Sequence, residues 1–354
     1  MGPAADRGVS TVVDITLALL LVSASVLLIG VALSSPDESG HEERPEQALE
    51  SMSATTGTVL YDIADTNDAG VSTVESENFD PPGNRETTVS DSLYEVTTYG
   101  SSIGLLADAA LANLGFDGND RFAYGDVYEA AVDDSIRETH VASEDNVYAV
   151  ATWHPYEGSS LSGTATAGKR PPSTEDVSSV STTVTSNVPP VDSEELAREF
   201  EREETSDVGT PFVDDAEADG FDAAAIVLAE SIVEGYFPLE DTQYALESSL
   251  TERSVAVYDY RQMADSVDVD VDEHVTGSSP DAAAANETLV GEIDSDDGLG
   301  AQIAADMRTG PIGEEISKIW NESPTDTVVD RLEEAFERLV SPETVDVTVQ
   351  TWDP

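Results

Sequence analysis

The sequence predicts an α+β protein, with an N-terminal transmembrane helix followed by an acidic extracytoplasmic mixed α/β region. Three observations carry this expectation. Residues 15–33, ITLALLLVSASVLLIGVAL, are nineteen positions without a charge. At about 1.5 Å rise per residue they approach the ~30 Å of a hydrocarbon core. Between 48 and 190, short segments such as Asn146–Trp153 alternate as strands do, whereas after Pro190 apolar residues recur at helical spacing.

In chain order the expected organisation is a short cytoplasmic leader over 1–8, a transmembrane helix over 9–34 and a linker over 35–47. A strand-rich α+β domain over 48–190 and a helix-rich region over 191–354, ending in a strand, complete it. Pro36 and Pro45 mark the linker. Thr58–Ile63 reads equally as a strand or as part of a helix continuing from Glu46. Asn67–Arg85, with Asp80-Pro81-Pro82-Gly83, reads as loop, and Ser92–Thr98 alternates like a strand. Ile103–Leu114 has helical spacing and meets Gly115, a suitable C-cap. A second helix is expected over Tyr124–Thr139. Asn146–Trp153 is a strand, and Leu161–Ala167 and Val177–Thr185 extend a sheet, the latter bracketed by Pro171-Pro172 and Pro189-Pro190.

Beyond Pro190, Ser193 is read as the N-cap of a helix. Phe221–Tyr236 carries a broad apolar face, and Leu239–Tyr258 follows with little break. Further helices are expected over Leu299–Met307, Ile312–Trp320 and Thr327–Leu339. The strand Val345–Trp352 closes the chain with clear period-two alternation.

Charge is the dominant compositional feature. Asp and Glu number 73 against 15 Lys and Arg, a net of −58, and Lys169 and Lys318 are the two lysines. In dilute buffer such a charge pushes a compact state apart. Molar salt shortens the Debye length to about 3 Å and removes most of that repulsion. The acids are spread through every segment after Pro36 rather than gathered in a tail, which indicates adaptation to high salt. No Lys/Arg cluster exists, which excludes nucleic acid as a partner through a basic patch. The absence of cysteine removes disulfides, thiolate catalysis and cysteine–metal sites.

Three readings of the N-terminus stand open: a cleaved signal peptide with Gly30-Val31-Ala32 as the small-x-small site, a plain anchor, and a processed leader. Arg7-Gly8-Val9-Ser10-Thr11-Val12-Val13-Asp14 stands directly before the apolar run. This resembles the class III signal of haloarchaeal type IV pilins and pilin-like proteins. The resemblance implies cleavage between Gly8 and Val9 by a prepilin peptidase, with the helix kept as a membrane anchor and assembly with other pilin-like subunits. It places Asp14 at the sixth mature position, and a carboxylate so close to the lipid bilayer is a functional candidate. The function this implies is non-enzymatic: a membrane-anchored pilin-like surface protein with a structural or assembly role. The alternative is a tethered extracytoplasmic binding or sensory domain. In either case the N-terminus is expected inside the cell membrane and the acidic domain outside.

No catalytic or cofactor motif is present. His41, His140, His154 and His274 are widely spaced, and HExxH, Gly-x-Ser-x-Gly, a Walker A loop and Gly-x-Gly-x-x-Gly after a strand are missing. No metal or cofactor is therefore expected. Asp268-Val-Asp-Val-Asp272 puts three acids on one face of an expected strand. Asp294-Ser-Asp-Asp-Gly298 falls short of calcium-loop spacing. Asn286-Glu-Thr288 and Asn321-Glu-Ser323 are glycosylation candidates on an exported domain, the second disfavoured by Pro324.

Overall fold

Helix α1 (Gly40–Ala54) runs into β1 (Thr56–Asp62), which pairs antiparallel with β2 (Glu95–Ser101). The computed structural model describes residues 40–62, 95–116, 119–120, 124–140, 146–206, 216–248, 251–293, 297–324 and 327–352. By contacts the chain divides into Met1–Arg44 and Pro45–Pro354, and apart from the start of α1 everything below concerns the second unit. The stretch from Thr58 that read equally as strand or helix is strand, with β-branched Thr58 and Val59 opposite Tyr99 and Thr98.

Ser101 ends β2 and caps α2 (Ser102–Ala112), its hydroxyl accepting the Gly104 N–H at 3.1 Å. This helix is apolar nearly all round because it is enclosed on several sides, and Leu105, Leu106, Ala109 and Ala110 are fully buried. Gly115, expected as its cap, opens the short strand β3 (Gly115–Phe116) instead, and Asn113 takes the cap position. Then come β4 (Asn119–Asp120) and α3 (Gly125–His140).

Strands β5 (Asn146–Trp153), β6 (Leu161–Gly168), β7 (Val177–Thr185) and the C-terminal β8 (Thr344–Trp352) complete a sheet of order β4-β3-β6-β5-β8-β7. Every pairing is antiparallel. One face is buried through Ala149, Ala151, Ala165, Ala167, Val345, Val347 and Val349. The other carries Thr152, Thr166, Ser181 and Thr348, the alternation expected of a sheet covered on one side. The small residues on β6 let α2 lie close: a Cβ on Gly163 would fall 1.9 Å from the Ala110 carbonyl oxygen.

On β6, strand β3 reaches only Leu161 and Ser162, and among the described residues no strand ladders the rest of that edge. Side chains supply what the missing strand would. Glu129 accepts the Thr166 N–H at 2.8 Å, Asp133 accepts the Gly168 N–H at 2.7 Å, and the Asn113 amide donates to the Thr164 carbonyl at 3.0 Å. Two acids of α3 that look like surface charge in the sequence therefore close a sheet edge.

The helical part comprises α4 (Ser193–Ser206), α5 (Ala216–Tyr236), α6 (Leu239–Glu247), α7 (Thr251–Ser266), α8 (Asp272–Val275), α9 (Ala282–Val290), α10 (Leu299–Thr309), α11 (Pro311–Glu322) and α12 (Val328–Leu339). Helix α5 contacts α4, α9 and α10. The capping oxygen of α4 belongs to Asp192 rather than Ser193; it accepts the Glu194 N–H at 2.9 Å. The long helix expected over Leu239–Tyr258 is two, because α6 ends at Ser248 in extended conformation. On α12 the buried stripe Val328, Leu332, Ala335, Phe336 and Leu339 shows the predicted helical spacing.

Sheet and helices share one hydrophobic core. Polar contacts reinforce the junction. The Trp153 indole N–H donates to the Pro342 carbonyl at 2.7 Å, and the Tyr156 hydroxyl donates to Asp306 at 2.5 Å. Asp306 also accepts the Ser160 N–H at 2.9 Å.

The expected transmembrane element requires correction. Among the described residues no helix is long and apolar enough to cross a membrane. The longest of them, α5 at 21 residues, carries Asp222, Glu230 and Glu234 within its apolar run, and each would have to be desolvated in hydrocarbon. The segment 15–33, and Asp14 before it, lie outside the described residues. The fold is a mixed α/β domain.

Candidate functional site

Four tyrosines from three elements and one turn converge on a cavity of about 250 Å³. Tyr61 sits on β1 two residues after buried Val59, hence on the same inward face. Tyr124 and Tyr128 lie one turn apart at the head of α3, where the Tyr128 N–H donates to the Tyr124 carbonyl at 2.9 Å. Tyr236 ends α5, and its hydroxyl donates to the Leu111 carbonyl in the last turn of α2 at 2.7 Å. Helix α2 supplies Asp108, Leu111 and Ala112 to the wall, and β2 supplies Thr98.

Asn187 and Val188, after β7, complete the lining. Gly235 is required beside them, since a Cβ there would fall 2.7 Å from the Val188 Cα. The Ser231 hydroxyl, one turn earlier on α5, donates to the Pro189 carbonyl at 2.7 Å and fixes this approach.

Tyr61 is the centre of the aromatic group. Its ring lies 4.8 Å from that of Tyr128, tilted by 49°, and 6.2 Å from that of Tyr124, nearly parallel at 26°. Burial, then the charges of Asp259 and Asp108, push the Tyr61 phenol up to about 12, against a smaller opposing effect of the Thr98 hydroxyl. Burial likewise raises Tyr124, Tyr128 and Tyr236, so all four phenols stay neutral. The Tyr128 hydroxyl is buried with no hydrogen-bond partner of ordinary geometry among the described residues, although Thr98 stands nearby.

Two carboxyls accompany the rings. Asp108, in the cavity wall, is flanked by buried Ala107 and Ala109, and burial raises it to about 6. Asp259, on α7, is raised to about 7 by burial, and its charge acts on Tyr61 and Tyr124. Unlike the acids of α3, neither receives a hydrogen bond or an ion pair among the described residues.

A larger groove of about 730 Å³ runs between α11 and α12. Some of its charges are engaged: Arg338 pairs with Glu315 and approaches Glu157 at 3.9 Å, while Arg331 donates to the Ser323 hydroxyl at 2.6 Å. Among the described residues the tyrosine cavity holds a buried hydroxyl, that of Tyr128, without a hydrogen-bond partner.

The residues singled out in the sequence do not meet there. Arg7, Gly8, Val9 and Asp14 lie outside the described residues, as does the start of Asp294–Gly298. Asp268–Asp272 is a turn and not a strand: Asp268 has φ 58°, and Asp272 opens α8 and pairs with Arg261 at 2.7 Å. Among the described residues no group of three or more His, Asp or Glu is arranged to hold a metal. Asn286 is tied into the core, its amide donating to the Phe237 carbonyl at 3.0 Å and accepting from Tyr260 at 2.5 Å. Asn321 is exposed at the end of α11 and donates to the Ser317 carbonyl at 2.8 Å.

Sequence reasoning missed the whole tyrosine set. Two local signals point toward it: Asp108 interrupts an otherwise apolar helix, and Tyr124 and Tyr128 share a helix face. Neither connects to Tyr61 or Tyr236 without the tertiary fold.

A family of unknown function, DUF7284, matches residues 13–352. No curated protein and no solved structure is detectably similar to the chain. Of the stretch Arg7–Asp14 that carried the pilin resemblance, the matched region takes in only Val13 and Asp14. Membership replaces the pilin-like identity and the surface or assembly role inferred from it, along with the alternative of a membrane-tethered sensory domain. The lipid bilayer, the prepilin peptidase and pilin-like subunits as partners, and the single-pass topology, fall for the same reason and because no described helix is long and apolar enough to cross a membrane. The chain belongs to the family of unknown function DUF7284.

Proposed function

We propose that this domain is a small-molecule-binding module that carries out no chemistry of its own. The observation behind this reading is the tyrosine-lined cavity, with the unpartnered Tyr128 hydroxyl and the unpaired Asp108 carboxyl in its wall. The buried Tyr128 hydroxyl without a partner costs on the order of 1–3 kcal/mol, and a bound molecule relieves that cost. A space of about 250 Å³ lies just below the usual range for small-ligand sites. The lining offers phenols, a carboxyl, a threonine hydroxyl and an asparagine amide. It contains no imidazole, and the chain has no thiol, so the groups present suit recognition better than nucleophilic catalysis.

Ligand-observed NMR with a mixed panel of small cationic, neutral and anionic compounds, in molar KCl, tests the reading. Binders are expected to receive saturation transferred from the tyrosine ring protons and to be lost in Ala112→Met, which fills the cavity from its α2 wall. A panel without binders, or binders indifferent to Ala112→Met, would refute it.

A further inference from the structure

We propose that the cavity takes a small organic cation with an alkylated ammonium head, held against the faces of Tyr61, Tyr124 and Tyr128 and paired with Asp108. This rests on the binding reading above and names its ligand class. Aromatic faces attract cations through the ring quadrupole, and the attraction strengthens where water is excluded. Three of the rings form a contiguous group, with centroids 4.8 and 6.2 Å apart.

The acid is what separates a cation from other occupants of an aromatic pocket. Asp108 lies in the wall with no arginine or lysine among the lining residues, and no ion pair reaches it among the described residues. Asp259 on α7, also without an ion pair among the described residues, is near enough for its charge to act on Tyr61 and Tyr124. Desolvated carboxylates ordinarily come with a counter-charge, and among the described residues neither of these two has one.

A sugar would also stack on tyrosine, but it needs a dense set of hydrogen-bonding groups. The Tyr236 hydroxyl is committed to the Leu111 carbonyl at 2.7 Å, and rings and apolar groups make up most of the lining beside Thr98, Asp108 and Asn187. An alkylated ammonium makes little demand for hydrogen bonds and needs π faces and one negative charge. The mixed-charge groove between α11 and α12 has carboxylates, but its lining includes no aromatic ring and three cationic side chains.

The experiment compares choline with dimethylbutanol, its uncharged carbon isostere, by titration of the full chain in molar KCl. Choline is expected to bind at least about tenfold more tightly than the isostere. Asp108→Asn, close in shape and free of charge, is expected to weaken choline about tenfold or more and to leave the isostere unchanged. Equal binding of choline and isostere, or a neutral polyol binding where choline does not, overturns the cation while leaving a binding cavity. No binding by choline or by any compound of the wider panel overturns both readings.

Discussion

Asp259 shows how a single buried acid couples this fold to pH. Its carboxyl is raised to about 7 by burial, against an ordinary value of about 3.9. Between those values the folded chain holds a proton that the unfolded chain has lost, so this group's contribution to stability falls as pH rises and the full penalty is present above the folded value. Tyr61 and Tyr124 face it as neutral phenols and provide no compensating charge. In molar salt, Asp259→Asn is expected to be more stable than the parent at about pH 8, by roughly 2 kcal/mol once water reaching the partly exposed carboxylate is allowed for. The two should converge near about pH 4. Thermal unfolding across pH checks this; a constant offset, or a less stable variant at high pH, would contradict it. Nothing in the sequence separates Asp259 from the other 72 acids, because its character comes from the elements packed around it. Asp108 is half-legible, as an acid in an apolar helix.

At the scale of elements, periodicity served well wherever one face of a segment is buried. The strands over Asn146–Trp153 and Val177–Thr185 have the bounds the alternation predicts, and β8 differs by one residue. Helix ends were less legible, since capping at Asp192, Asn113 and Ser248 depends on which side chain reaches a free backbone group. The packing of α2 on β6 gives a sharp test. Gly163→Ala would place its Cβ 1.9 Å from the Ala110 carbonyl oxygen, a backbone atom that cannot rotate away. A loss of roughly 2–3 kcal/mol is expected. Gly100→Ala is the control, because its nearest neighbour, a Leu105 methyl, would stand at an ordinary 3.6 Å. Urea unfolding of both separates close packing from a general cost of alanine in strands; equal effects would refute the close approach.

For the whole molecule, the net charge of −58 and the core set the terms. Lowering the salt from molar to about 0.01 M lengthens the screening distance from about 3 to about 30 Å, and the midpoint of thermal unfolding is expected to fall steeply. A midpoint that does not change with salt would mean that self-repulsion is not a significant term. This much the composition determined alone, since net charge does not depend on where side chains lie. The sequence also determined most elements and their buried faces, because period and burial are local properties of a strand or helix. The tertiary structure decided that the C-terminal strand enters between β5 and β7, and that acids on α3 close an edge of β6. It alone decided the cavity: Tyr61, Asp108, Tyr128 and Tyr236 are scattered through the chain, and only the packing of β1, α2, α3 and α5 brings them to one site.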